Sequence, residues 1–95
     1  MPIPQLWIVA YDTPSARRRR KLAKLLEGYG QRVQWSVFEC RLQKQEINTL
    51  VARLSRLVHR SEDCVRLWPV PEASCARVIQ LGQPPPAEGE WDVVV

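Results

Sequence analysis

The sequence predicts an α+β domain in which two helices pack on one face of a small β-sheet. Three observations predict this class. Residues 3–11 form an apolar stretch rich in strand-forming side chains, residues 14–28 and 44–60 repeat apolar side chains at helical spacing, and extended segments follow each helix. A chain of 95 residues, with 45% apolar and 25% charged side chains, has the size and composition of one globular domain.

The first strand and the turn after it are marked by composition. Residues 3–11, IPQLWIVAY, are typical of a buried strand. The next three residues, 12–14, form a turn. We expect Thr13 to cap the following helix and Pro14 to occupy its first position, because a hydroxyl can accept from free first-turn amides and proline has no amide to satisfy.

The first helix is expected over residues 14–28. Gly28 and Gly30 end it, and we expect Gly30 to adopt the left-handed conformation that is common after helices. The apolar stripe of this helix consists of Leu22, Leu25, Leu26 and Tyr29.

The middle of the chain contains an extended region and a second helix. Residues 31–42, QRVQWSVFECRL, form either one bent strand or two short strands that meet near Ser36, and the sequence leaves this open. Residues 44–60 have the clearest helical pattern of the chain. Its apolar side chains are Ile47, Leu50, Val51, Leu54, Leu57 and Val58.

The last third of the chain is predicted to be largely extended. Residues 63–70 form a strand whose prolines confine its end to an edge or a turn, and residues 77–81 form a further extended segment. Residues 83–86 form a stiff proline linker, and residues 91–95 form an apolar tail strand. Because chain ends fray unless tied down, we expect the tail to dock on a sheet edge of its own chain or of a partner.

This order of elements predicts a ferredoxin-like βαββαβ sandwich with additional C-terminal strands, provided that residues 31–42 divide into two strands. We expect residues 1–82 to form this domain and residues 83–95 to form the linker and tail. A chain of this size buries a thin core, which favours a homodimer.

Positive charge is concentrated in the first part of the chain. Residues 1–60 carry 12 Lys and Arg against four Asp and Glu, whereas residues 61–95 carry two against six. Such an excess attracts polyanions, since neutralised phosphates release condensed counterions. It predicts nucleic-acid binding, the alternatives being a solvated helix face or a localisation-like basic tract. The densest part, here called the basic cluster, consists of Arg17, Arg18, Arg19, Arg20, Lys21 and Lys24.

Several classes of protein are disfavoured. No apolar run approaches the ~20 residues of a membrane span, and the first residues lack the features of a signal peptide, so we expect a cytoplasmic protein without membrane contact. Three cysteines without a CxxC pair argue against a disulfide framework, and a single histidine, His59, argues against zinc chemistry. No glycine-rich phosphate loop is present, so no nucleotide cofactor is expected.

Asp12 is the first candidate for chemistry. It is the only acid among residues 1–26, it follows the first strand, and it lies beside the basic cluster. Its carboxylate either caps the turn and helix start or binds a metal ion. Magnesium needs only one or two carboxylates besides water and substrate phosphates, and a two-fold dimer would bring a second Asp12 to the first. Such a site would support phosphodiester hydrolysis.

The other candidates have ordinary alternatives. His59 is expected to be a cation at a helix C-terminus. Ser36 provides either a turn hydroxyl or a phosphate contact. Four aromatic side chains belong either to the core or to a base-stacking surface, and these are Tyr11, Tyr29, Trp35 and Phe38.

The sequence resembles the CRISPR-associated protein 2 family in several stretches. Tyr11-Asp12 closes the first strand and is followed by the arginine-rich helix with LAKLL at residues 22–26. Tyr29-Gly30 precedes RVQWSVFEC at residues 32–40, and DCVRLWP at residues 63–69 is similar to the family's penultimate-strand motif. The resemblance spans residues 3 to about 82, and its most specific part is RVQxSVFEC.

The resemblance implies a ferredoxin-like homodimer whose C-terminal strands pair across the interface. It implies that Asp12 is the catalytic and magnesium-binding aspartate, facing its copy across a cleft. Basic residues matching Arg18, Arg19 and Arg32 would contact nucleic acid. The positions beside the cleft are Tyr11, Ser36 and Phe38.

Two functions follow from the resemblance. As an enzyme, the dimer would be a magnesium-dependent endonuclease of RNA or double-stranded DNA in CRISPR adaptation, the acquisition of new spacers. As a non-catalytic scaffold, it would bridge dimers of the integrase subunit, CRISPR-associated protein 1, and clamp duplex DNA. A toxin-like endoribonuclease of the same fold is a third interpretation, against which the SVFEC stretch counts.

Overall fold

The structure, a computed structural model, describes residues 3–85. Its elements follow the predicted βαββαβ order, and the strands form one antiparallel sheet in the order β2-β3-β1-β4. The predicted ferredoxin-like fold is confirmed. The elements are β1 (Gln5–Asp12), α1 (Ala16–Glu27), β2 (Gln31–Gln34), β3 (Val37–Leu42), α2 (Lys44–Leu57), β4 (Cys64–Val70) and a short α3 (Glu72–Cys75).

The extended region after α1 is two strands, which settles the alternative left open above. β2 and β3 pair antiparallel, with Arg32 opposite Phe38, and the register shifts before Gln34. The turn between the strands is tied to the sheet, since the Tyr11 amide donates to the Ser36 carbonyl at 3.0 Å. The hairpin turn therefore lies beside the end of β1.

The core lies between one face of the sheet and the two long helices. Successive side chains of a strand point to opposite faces of the sheet, and residues paired across two antiparallel strands point to the same face. Val9 and Tyr11 point into the core, whereas Ile8, Ala10 and Asp12 point to the other side, here called the open face. The buried core side chains include Val9, Tyr11, Leu22, Leu26, Phe38, Cys40, Leu50 and Leu54.

The start of α1 differs from the prediction. Ser15, not Thr13, is the N-cap: its hydroxyl accepts from the Arg18 amide at 3.1 Å. The Thr13 hydroxyl instead accepts from the Ser15 amide at 3.1 Å, and Pro14 precedes the helix. Because Thr13 is used to close the turn after β1, the helix begins two residues later than expected.

The end of α1 also differs from the prediction. The C-cap Gly28 has right-handed helical angles, and the only positive φ among residues 3–85 belongs to Gly82. Gly30 is required for a different reason, which is the close approach of β3. A Cβ on Gly30 would lie 2.6 Å from the Cys40 Sγ and 2.8 Å from the Cys40 Cα.

The second long helix is shorter than the predicted range of 44–60. It begins with a capping box between Gln43 and Glu46 and ends at Leu57, because Val58 is extended with ψ at 145°. His59 therefore lies in the loop after the helix and not in its last turn. In that loop the amides of Glu62 and Asp63 donate to the His59 carbonyl at 3.1 and 2.9 Å.

The strand predicted at residues 77–81 is wrong, and α3 was not predicted. The helical turn α3 contacts β1, and residues 78–81 lie beside Val33, Gln34 and Glu39 of the hairpin without forming a strand. Val78, Ile79 and Leu81 are 57%, 83% and 91% exposed. The predicted tail strand at residues 91–95 lies outside the described residues. None of the helices within residues 3–85 is long and apolar enough to cross a membrane.

Candidate nucleic-acid and metal site

Asp12 is the last residue of β1, and its side chain is exposed on the open face. The strand pairing places it opposite Cys64, the first residue of β4. Strand β1 is central in the sheet and is held on both sides, by β3 and by β4. The carboxylate therefore lies at the C-terminal end of a central strand that is paired on both sides, just before the chain turns toward α1.

A small cavity of about 90 Å³ surrounds Asp12. It brings together the ends of β1, α1 and the β2–β3 turn, three elements that are separate in sequence. Of the predicted site residues, Tyr11, Asp12, Arg19 and Ser36 meet here, and Arg19 contributes a cation to the same cavity as the carboxylate. The cavity is lined by Tyr11, Asp12, Thr13, Arg19, Trp35 and Ser36.

Two predicted cleft residues belong mainly to the core. The rings of Tyr11 and Phe38 stack with centroids 6.4 Å apart, and both side chains are buried, at 4% and 0% exposure. Tyr11 still lines the cavity beside Asp12. Phe38 does not line the cavity and packs against the Tyr11 ring. Neither ring is available for base stacking in this chain.

Arg32 is also an interior residue. It is 9% exposed, its guanidinium lies 5.1 Å from the Phe38 ring centroid and 5.9 Å from that of Trp35, and it donates to the Trp35 carbonyl. These contacts brace the β2–β3 turn. The structure thus places Arg32 as a support for the hairpin and not on the surface where the sequence predicted a nucleic-acid contact.

The basic cluster divides into three kinds of residue. Arg18 is bound to acids from the α2–β4 loop: its Nε donates to Asp63 Oδ2 at 2.7 Å, and its Nη2 donates to Glu62 Oε1 at 2.6 Å. Arg19 borders the Asp12 cavity. The exposed cations of the cluster are Arg17, Arg20, Lys21 and Lys24.

Asp63 is the residue that sequence reasoning missed. Its side chain is 0% exposed, and the hydrogen bond from Arg18 lowers the pKa of its carboxyl to about 2, with smaller contributions from the Thr13 hydroxyl and the His59 amide. The sequence contained one signal, an acid directly before the β4 strand. Its partner Arg18 is 45 residues away, a distance over which spacing predicts no contact.

One chain alone does not provide enough ligands for magnesium at this site, so the ion would have to be shared between two copies of the chain. Within residues 3–85 no three His, Cys, Asp or Glu side chains converge to form a metal site. One chain thus offers the Asp12 carboxylate, a hard oxygen ligand suited to magnesium, and the remaining positions would come from a second copy, water and phosphate.

By its fold and site, this protein belongs to a class of small α+β proteins that have a carboxylate at the end of the first strand and a cationic first helix. The sequence profile of the family described as CRISPR associated protein Cas2 matches residues 5–78. The chain therefore belongs to the Cas2 family.

Two relatives illustrate the similarity. The CRISPR-associated endoribonuclease Cas2 3 of Synechocystis sp. is 46% identical over 90 residues, covering 95% of this chain and 98% of the relative. The CRISPR-associated endonuclease Cas2 2 of Thermus thermophilus is 44% identical over 81 residues, covering 85% of this chain and 88% of the relative.

Solved structures agree with the family assignment. The chain resembles Streptococcus pyogenes Cas2 at a TM-score of 0.74 and 34% identity, covering 81% of this chain and 99% of the other. It also resembles a chain of a partial Cas6-RT-Cas1–Cas2 complex at a TM-score of 0.70 and 25% identity, covering 81% of this chain and 90% of the other.

Proposed function

We propose that this chain acts in CRISPR adaptation as a nucleic-acid-binding homodimer with metal-dependent endonuclease activity on RNA or double-stranded DNA. One observation carries the proposal: Asp12 is exposed at the end of β1, in a cavity that also contains Arg19. The relatives named as endoribonuclease and endonuclease support it.

In this proposal the two Asp12 carboxylates of a dimer hold one magnesium ion. When bound, magnesium would supply Lewis-acid activation of water and neutralise charge on the scissile phosphate. Arg19, which shares the cavity with Asp12, would orient the phosphate by charge-assisted hydrogen bonds. The exposed cations of the basic cluster would hold the backbone without reading its sequence.

The open face supports the dimer. Ile8 lies opposite Trp68, and Ala10 lies opposite Arg66, so apolar side chains with one arginine among them lead along β1 and β4 toward Asp12. Trp68 is 41% exposed, with the Arg66 guanidinium 5.0 Å from its ring centroid. A second copy packed on this face about a two-fold axis would cover these side chains and bring the two Asp12 residues toward each other.

A non-catalytic scaffold is the second candidate, and a specific observation favours it. A single chain supplies one carboxylate and, within residues 3–85, no cluster of three ligands. Dedicated nucleases often use two metal ions. In this alternative the dimer clamps DNA and bridges an integrase partner, which the similarity to a Cas1–Cas2 complex supports.

The test compares the full chain with Asp12→Asn on labelled duplex DNA and single-stranded RNA in magnesium, with binding recorded in the same samples. We expect Asp12→Asn to bind within about twofold of the wild type and to cut at least about 100-fold more slowly. Glu27→Gln, which neutralises an exposed acid at the end of α1, is the matched control and should cut normally. Binding without cleavage by the wild type would favour the scaffold.

The dimer has its own test, by sedimentation or light scattering. Trp68→Glu places a charge on the open face and should dissociate the dimer. Val51→Glu is the control, because Val51 is similarly exposed, at 43%, but lies on α2. Equal masses for Trp68→Glu and wild type would show that the open face is not the interface.

A further inference from the structure

The Asp63 carboxylate joins the three segments that meet near Asp12. Its Oδ2 accepts from the Arg18 Nε at 2.7 Å and from the His59 amide at 2.8 Å, and its Oδ1 accepts from the Arg18 Nη2 at 3.2 Å. The Thr13 side chain also contributes to lowering the pKa of this carboxyl. These partners belong to the turn after β1, the first turns of α1 and the loop after α2.

Two of these connections flank Asp12. Thr13 is the next residue in the chain, and it is 8% exposed. On the neighbouring strand, Cys64 pairs with Asp12, and Cys64 directly follows Asp63. Asp63 thus holds the segment after Asp12 and begins the strand that lies beside it.

We propose that Asp63 is a positioning residue for Asp12, fixing the direction of its carboxylate toward the shared metal ion. The proposal rests on the proposed function, because it assumes that Asp12 is a metal ligand. A metal ion shared by two carboxylates across a two-fold axis requires each to be held within about 0.5 Å of its place. Asp12 is exposed, so packing around its own side chain does not provide this precision.

The Asp63 carboxylate is covered by its neighbours although the residue as a whole is half-buried, which makes it suited to this role. Its side chain is 0% exposed, and Arg18, which is 24% exposed, provides the charge that a buried carboxylate needs. The same pair holds the Arg18 guanidinium against the α2–β4 loop, so this cation of α1 is directed at Asp63 and Glu62. In other proteins, hydrogen bonds made directly to a metal ligand orient it. Asp63 would act one step further away, through the backbone segments on either side of Asp12.

The first experiment measures Mn²⁺ binding by electron paramagnetic resonance titration, with Mn²⁺ as the probe. Asp63→Asn keeps the shape of the side chain and removes its charge, and we expect it to weaken Mn²⁺ binding about 10-fold or more. Glu62→Gln is the matched control, because it removes the other acid bound to Arg18, at the surface, and should bind Mn²⁺ as the wild type does. Wild-type Mn²⁺ affinity in a folded Asp63→Asn would overturn the proposal.

A second pair of variants keeps the test decisive if Asp63→Asn does not fold. Thr13→Val preserves the shape of Thr13 but loses the hydroxyl, which also accepts from the Ser15 amide at 3.1 Å, and Thr13→Ser restores a hydroxyl. We expect Thr13→Val to weaken Mn²⁺ binding and Thr13→Ser to recover it. Equal affinity in both variants would overturn the positioning role, because that role requires the segment after Asp12 to be held in place.

Failure of the proposed function is recognisable separately. If the wild type binds Mn²⁺ no better than Asp12→Ala, the metal site itself is wrong. Amide hydrogen exchange then tests whether Asp63 holds the segment that follows Asp12. Faster exchange at Asp12 and Ser15 in Asp63→Asn, but not in Glu62→Gln, would support the role of Asp63, and unchanged exchange would overturn it.

Discussion

The Arg18 Nε donates to Asp63 Oδ2 at 2.7 Å, joining two residues that lie 45 positions apart. This ion pair connects the start of α1 to the loop that precedes β4. Because of this ion pair, Arg18 differs from its neighbours in the basic cluster. Arg18 is turned to carboxylates of its own chain, whereas Arg17 and Arg20 are exposed.

The first prediction concerns acid stability. The pKa of Asp63 falls from 3.8 to about 2 in the folded chain, chiefly because of the hydrogen bond from Arg18. The ionised pair therefore stabilises the fold fully above pH 3.8, and this contribution is lost as the pH falls toward 2. We expect Asp63→Asn to melt at a lower temperature than wild type at pH 7.

The check is a series of thermal melts from pH 7 to pH 2, followed by circular dichroism. The difference in melting temperature between the wild type and Asp63→Asn should be constant above about pH 4 and shrink below it. A difference that stays constant down to pH 2 would contradict the assigned shift. Glu62→Gln should show a smaller difference, since Glu62 is 51% exposed.

The second prediction concerns the salt dependence of DNA binding. Each phosphate contact that is lost should reduce the slope of log affinity against log salt by about 0.9. We expect Arg17→Gln and Arg20→Gln each to reduce the slope, because both side chains are exposed. Arg18→Gln should reduce it less, because Arg18 already binds Asp63 and Glu62.

Fluorescence anisotropy on one duplex at four or more salt concentrations measures these slopes. Identical slopes for Arg18→Gln and Arg17→Gln would show that Arg18 leaves its acids to bind phosphate. Unchanged slopes in all three variants would remove α1 from the nucleic-acid surface.

The third prediction concerns Gly30. A Cβ there would lie 2.6 Å from the Cys40 Sγ, and the nearby β3 backbone has little room to move. We expect Gly30→Ala to lower the free energy of unfolding by about 1–3 kcal/mol, which is typical of overpacking. Urea titration of the purified chain measures this change.

Gly28→Ala is the control for Gly30→Ala. Gly28 has right-handed angles, and its Cβ would lie 3.3 Å from the Leu25 carbonyl, so we expect a change below about 1 kcal/mol in either direction. If the two variants are equally stable, close approach is not the reason that position 30 is glycine.

The fourth prediction concerns the three cysteines, all of which are free. Burial raises the pKa of the Cys40 thiol to about 11, and its side chain is inaccessible, so we expect no alkylation of Cys40 in the folded chain at pH 8. Cys64 is exposed and should react first with iodoacetamide. Peptide mass spectrometry assigns the labelled residue, and early labelling of Cys40 would place it outside the core.

Labelling of Cys64 also reports on the position of Asp12. Because Cys64 lies opposite Asp12 in the strand pairing, a dimer with facing Asp12 residues would slow its alkylation. Trp68→Glu, if it dissociates the dimer, should restore the faster rate. Equal rates in the two proteins would argue against a second copy covering this end of the open face.

Local patterns were sufficient to predict most of the fold. The continuous apolar stretch before Asp12 predicted β1, and the helical spacing of Leu50 and Leu54 predicted α2, because burial on one face imposes a period on the sequence. The strand predicted at residues 77–81 did not form, because after α3 these residues lie beside Val33, Gln34 and Glu39 and do not pair with an edge strand. The cap at Thr13 failed because its hydroxyl had another partner, Ser15.

The candidate site was predicted in part. Asp12 was identified from its place at the end of a strand beside a cationic segment, and the exposed cations of α1 were identified from their density. Asp63 was not identified, and Arg32 was expected, from the resemblance, to contact nucleic acid. In the structure the Arg32 side chain and the Asp63 carboxylate are both largely covered, which the composition of a segment does not reveal.

Apart from the division of residues 31–42, the sequence by itself determined the order of the elements from β1 to β4, the family and the place of Asp12 at the end of β1, because each depends on neighbours in the chain. Only the tertiary structure decided which charged side chains are exposed and which are engaged by other residues of the same chain. Arg18 and Asp63 neutralise each other across 45 residues, and Arg32 stacks on Phe38 after the β2–β3 hairpin closes. The physical reason is that an ion pair or a ring contact depends on distance in space, and the sheet order β2-β3-β1-β4 brings distant segments together.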